Sequence, residues 1–192
     1  MKRQIRNSVF ETNSSSTHAI CIAKESDYNK TGYIDFTFGD FGCEVTTYSD
    51  LHSKASYLIT AIFHSSKNYA DEKLQQLKTI LDENNINYDI PTPEVKSWDW
   101  NGKTEYYYDI DGYIDHVGAT HEFVNEVLSD SDKLMRYLFG NSMIVTGNDN
   151  GYGYSDIMYV NEGEEVTRWG TYPRYGDLKP EFSKYVIYYI GN

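Results

Sequence analysis

Three short segments of this sequence hold side chains able to do chemistry: Phe10-Glu11-Thr12-Asn13-Ser14-Ser15-Ser16-Thr17-His18, Asp111-Gly112-Tyr113-Ile114-Asp115-His116 and Thr146-Gly147-Asn148-Asp149-Asn150-Gly151. Between them they offer His18, Asp115, His116 and Asp149 as ligands for a divalent ion, with the thiol of Cys21 as a further donor. Mixed nitrogen, sulfur and oxygen donors suit zinc, whereas magnesium or calcium would want mostly oxygen. No compact ligand pair such as C-x-x-C or H-E-x-x-H is present, so this set works only if the fold gathers three distant loops. A closed site would hold a structural ion; an open position would activate water on a nucleotide or phosphoester.

The same residues have plainer uses. Asn and Ser side chains close turns on their own backbone, and the third segment is rich in turn formers. Adjacent strand residues point to opposite faces, so Asp115 and His116 share a site only if the strand ends there, which Gly118 allows. A serine nucleophile needs a base within about 3 Å in space. Adjacency to His18 does not supply that, so no catalytic residue is assigned. His52, His64 and His121 fall on the ends or faces of expected helices and read as surface histidines.

A second kind of chemistry is recognition. Trp98, Trp100, Glu105, Tyr106, Tyr108, Asp109 and Asp111 set large amphipathic rings beside carboxylates. Such a surface can engage an Arg-rich partner through cation-π contacts and charge-assisted hydrogen bonds. On a hairpin, Tyr106 and Tyr108 would share one face and Tyr107 the other. The alternative is a hairpin packed on the core with its acids solvated.

The elements that must position these groups follow from local patterning. Thr17 to Ala23 is a nearly continuous apolar run and predicts a central strand covered on both faces. Tyr33 to Phe38 and Cys43 to Tyr48 predict a hairpin around Gly39 to Gly42. Asp50 caps an expected amphipathic helix over 53–63, and 69–83 carries Leu74, Leu77, Ile80 and Leu81 on a second helical stripe. Pro91 and Pro93 make 84–93 the best place for a minor break. Asn101-Gly102 between aromatic runs predicts a hairpin over 95–108. Helices over 120–128 and 131–139, the second stopped by Gly140, precede strands at 143–146 and 184–190. The sum is an α+β domain, helices packed on a mostly antiparallel sheet, spanning 1–192 as one unit.

Composition narrows the function classes. The chain carries a net charge of -12, and its 19 Tyr lift aromatics to 16%. A negative field repels phosphates and draws in basic surfaces, so direct nucleic acid binding is not expected. No run approaches the roughly 18 apolar residues of a membrane span, and the basic start Met1 to Arg6 leads into polar residues and not into an apolar signal core. Two cysteines, Cys21 and Cys43, are too few for a disulfide scaffold. A soluble cytoplasmic protein is expected.

The pattern R-x-x-V-F-E-T-N-S-S-S-T-H ending at His18, with Gly112-Tyr113-Ile114-Asp115-His116 and Thr146-Gly147-Asn148-Asp149-Asn150, resembles a family of small proteins encoded by phages, prophages and mobile elements of Gram-positive bacteria. The likeness spans positions 6 to 150. It departs at Gly42-Cys43-Glu44, where relatives tend to place an aromatic after the Gly, which weighs against Cys43 as a ligand. Some acidic proteins from such genomes act as anti-CRISPR inhibitors of type II effector nucleases, so the resemblance implies an inhibitor that binds a protein partner. The expected alternatives are a metal-dependent hydrolase using His18, Asp115, His116 and Asp149, or a virion accessory protein.

Overall fold

The computed structural model describes residues 16–25, 28–30, 32–42, 44–115, 120–148 and 179–191. Along the chain run β1 (Ser16–Ala23), β2 (Tyr33–Asp35), β3 (Asp40–Phe41), β4 (Thr46–Tyr48), α1 (Leu51–Phe63), α2 (Lys67–Glu83), β5 (Asn87–Asp89), β6 (Glu94–Trp100), β7 (Lys103–Asp109), β8 (Tyr113–Ile114), α3 (His121–Val127), α4 (Ser131–Phe139), β9 (Met143–Asn148) and, after a short turn of 3-10 helix at Pro180–Phe182, β10 (Tyr185–Gly191). This is an α+β architecture, and its largest sheet, ordered β10-β1-β9-β4, is antiparallel throughout.

β1 is central, and both of its faces are covered. Side chains alternate along a strand. Ile20 and Ile22 therefore join Ile144 in the main core with the helices, while Ala19, Cys21 and Ala23 join Val145 and Tyr185 in a smaller cluster on the opposite face. His18 shares the parity of Ile20 and so enters the helix side.

α1 is the helix against which the sheet packs. Asp50 caps it by accepting from the Ser53 backbone N–H at 2.8 Å. The expected amphipathic helix is instead buried all round from Lys54 to Phe63. Two of its polar groups tolerate this because they find partners: the Lys54 ammonium donates to Gly140 O at 2.9 Å, and Thr60 Oγ1 donates to Ser56 O at 2.7 Å and accepts from the Gly39 N–H at 3.1 Å. Burial pulls the Lys54 pKa down to about 8 against the opposing charge of Asp50. α2 behaves as its stripe predicts, burying Leu77, Ile80 and Leu81.

The hairpin expected from Tyr33 to Tyr48 does not form. β2 pairs in parallel with β5, β3 in parallel with β8, and β4 joins β9. Ile34, Phe36 and Phe41 turn inward to the main core, so this segment lies across α1 and does not zip on itself. Gly39 sits so close that a Cβ there would meet Ser56 Oγ at 2.6 Å. β5 falls within the stretch marked for a break and ties it to β2.

Candidate functional site

Two regions gather the residues singled out by chemistry. The first is the end of the sheet where β1 begins. The Ser16–Asn148 and His18–Thr146 pairings bring the third segment alongside the first. The β3–β8 pair brings the second: the Asp115 N–H donates to Phe41 O at 2.8 Å, and Asp115 Oδ2 accepts from Ser16 Oγ at 3.2 Å. That approach requires Gly112, since a Cβ there would lie 2.9 Å from Gly39 N and O. The described parts of all three segments thus meet at one place, as a shared site requires.

His18 is buried there between α1 and the β3 end. Its Nε2 faces Gly42 O at 3.3 Å, and a carbonyl only accepts, so Nε2 carries the proton. Nδ1 then accepts from the Tyr57 hydroxyl at 2.8 Å. Burial lowers the His18 pKa to about 4, outweighing the Gly42 bond and the charge of Asp115, so the ring is neutral at pH 7. A metal bound at His18 would have to displace Tyr57 or Gly42.

Cys21 cannot join this set. It lies an odd number of residues from His18 on the same strand, on the opposite sheet face, and burial raises its thiol pKa to about 12. It is a packed thiol. Among the described residues no group of three or more His, Cys, Asp or Glu side chains is placed to hold a metal ion. His116, Asp149, Cys43 and 10–15 of the first segment lie outside the described residues, as does the side chain of Asn148. His52, His64 and His121 are exposed as expected, His121 stacking on Tyr69 with ring centroids 4.1 Å apart.

The second region is the β6–β7 hairpin. Asn101 and Gly102 adopt φ of 48° and 74°, the left-handed pair a tight two-residue turn demands. Every described side chain on the two strands is exposed except Tyr108, which is half-buried. Tyr108 is the anchor. Its ring meets Phe63 edge-on at 4.9 Å, its hydroxyl donates to Asp71, and Lys67 lies over its face. A backbone bridge from Ser66 to Tyr107 adds a second tether.

The register divides the expected partner-binding residues between two faces. Trp98 lies opposite Glu105, on the face that also carries Lys96, Lys103, Tyr107 and Asp109; Tyr106 and Tyr108 lie on the other, with Val95; Trp100 pairs with Lys103 in the ladder, and its side chain lies outside the described residues. Asp111 is exposed just beyond β7. Trp98 is 52% exposed and Tyr106 55%. Tyr57, Asp71 and Lys67 were not visible as functional partners in the sequence, because each acts through a contact between distant elements.

No protein-family model, curated protein or solved structure matches this chain. Among the described residues no helix is long and apolar enough to cross a membrane. The fold and the two regions define an α+β protein with a polar sheet end and a projecting acidic, aromatic hairpin.

Proposed function

We propose that this protein acts by binding, through the β6–β7 hairpin, to a protein with a basic, nucleic-acid-handling surface. The observation that carries the proposal is the exposure of Trp98, Tyr106 and Tyr107 on an element held to the body by Tyr108. Large rings left in water on an anchored element mark an interaction surface. Carboxylates at Glu94, Asp99, Glu105, Asp109 and Asp111 outnumber Lys96 and Lys103 around them, in keeping with the net charge of -12.

The partner we name is a type II CRISPR effector nuclease, the target that the motif resemblance implies. In this reading the protein is a phage or prophage anti-CRISPR inhibitor working in the host cytoplasm, and its acidic surface competes with nucleic acid for a basic groove. Neither direct nucleic acid binding nor membrane association is part of it. A structural zinc ion held by His18, Asp115, His116 and Asp149 would tie the three segments together, and it would have to displace Tyr57 or Gly42 from the His18 ring.

The second reading is a metal-dependent hydrolase at the sheet end. The meeting of the three segments supports it; the engagement of both His18 ring nitrogens weighs against it. Titrating the purified protein against a guide-loaded type II effector, with DNA cleavage and complex formation read together, separates the two. Loss of cleavage with a stable complex is expected. No complex and no effect across several effectors would overturn the inhibitor and put the hydrolase first.

A further inference from the structure

The two faces of the β6–β7 hairpin differ in chemistry. On one, Tyr108 meets Asp71 and Lys67 of α2. On the other, Trp98 and Glu105 are directly paired across the strands, and the indole Nε1–H donates to Glu105 Oε2 at 3.4 Å. Tyr107 follows Glu105 two residues on, on the same face and 38% exposed. Lys96 is ion-paired with Asp109. Among the described residues Glu105 forms no ion pair with a lysine or arginine, so its charge is available to an outside cation.

We propose that this face reads arginine. It rests on the hairpin being the docking element, and it names the partner side chain that docks. A guanidinium stacks on the Trp98 ring, its N–H fork meets the Glu105 carboxylate, and Tyr107 flanks the stack. Arginine fits better than lysine because it is planar, weakly hydrated and able to hold a carboxylate with two parallel bonds while lying on an aromatic face. An ammonium has the charge without the plane. The same rings do not suit nucleic acid, since stacking platforms for bases sit in positively charged grooves, and on this face Glu94, Glu105 and Asp109 outnumber Lys96 and Lys103. A small free ligand is also a poor fit, because a two-stranded face has no concavity to enclose one.

The test uses the full-length protein, nitrogen-15 labelled, and two peptides of equal length and charge, one of alternating Arg and Gly and one of alternating Lys and Gly. Both titrations are followed by amide and indole NMR shifts. Saturable binding of the arginine peptide is expected, with the Trp98 indole signal moving and affinity about fivefold above the lysine peptide, as an exposed cation-π contact gives. Trp98→Ala should bring the arginine peptide down to the lysine level, and Glu105→Gln should weaken it while leaving part of the preference. Equal binding of both peptides at β6 and β7 would overturn the arginine inference and leave the docking reading standing. Shifts confined to surfaces away from β6 and β7 would overturn both. An arginine peptide that does not bind, or a preference that survives Trp98→Ala, also defeats the inference.

Discussion

The sheet end and the β6–β7 hairpin are built from similar residues and treat them in opposite ways. At the sheet end Ser16, His18 and Tyr57 are buried, and each polar atom meets a partner on another element. On the hairpin Trp98 and Tyr106 are left half in water, on strands anchored through Tyr108. A buried polar cluster with every bond satisfied fixes one packing of the chain, and removing a member leaves an orphan in low dielectric. An exposed ring on a tethered strand pair contributes little to the fold. Its exposure on an anchored element is what points to binding.

The largest effect that would sharpen this contrast is expected at Tyr57. Its ring packs edge-on against Phe41 at 4.8 Å and Phe123 at 5.7 Å, so Tyr57→Ala opens a cavity and should cost about 3 to 5 kcal/mol in denaturant unfolding. A loss below about 1 kcal/mol would mean that the sheet end is not the rigid region described here. Gly112→Ala comes next. With Gly39 backbone 2.9 Å from the added Cβ and no flexible side chain to yield, β8 must shift from β3, at about 1 to 3 kcal/mol. Because Asp115 hangs from that pair, the bond from Ser16 should weaken as well, visible as faster exchange of the Asp115 amide.

His18 makes the contrast depend on pH. Its folded pKa of about 4 lies below the ordinary histidine value of 6.5, so between these values the unfolded chain binds more protons. The stability His18 contributes is fully present above about pH 6.5 and is lost as pH falls toward 4, to a total of about 3 kcal/mol. The difference in unfolding free energy between the natural protein and His18→Gln should therefore shrink across this window. A difference that stays flat from pH 7 to pH 4 would show that His18 is not buried as a neutral ring.

Locally coded features were legible in the sequence, and features set by long-range pairing were not. Asp50 announced the start of α1, Asn101-Gly102 the hairpin turn, and the apolar run of β1 its place inside the sheet, because each depends on residues a few positions apart. The Tyr33 to Phe38 alternation was real, yet period two only says that one face is buried; it does not name the strand that pairs, and β5 supplied it. Lys54 and Thr60 lie buried on a helix expected to be amphipathic, because Gly140, Ser56 and Gly39 meet them, and no local pattern points to Gly140 or Gly39. Strand parity alone would have separated Cys21 from His18. The meeting of the three polar segments was anticipated only as a requirement, since Ser16 lies on β1, Asn148 on β9 and Asp115 just past β8, and no local pattern dictates how those strands pair.

Smaller effects belong to the hairpin, and they decide whether it is an anchored docking element or a piece of the core. Tyr108→Phe keeps the ring against Phe63 and removes the hydroxyl that donates to Asp71, at a cost of about 1 kcal/mol. That loss should appear as faster amide exchange in β6 and β7 with little change in α1. Trp98→Ala is the smallest change for the fold, within about 0.5 kcal/mol, because the ring is exposed. It should nonetheless weaken partner binding by more than any substitution at the sheet end that leaves the protein folded. If Trp98→Ala instead lowered stability as Tyr57→Ala does, the hairpin would be packing its rings for the fold. Water-exposed aromatics would then cease to point to a partner, and the two regions would be one.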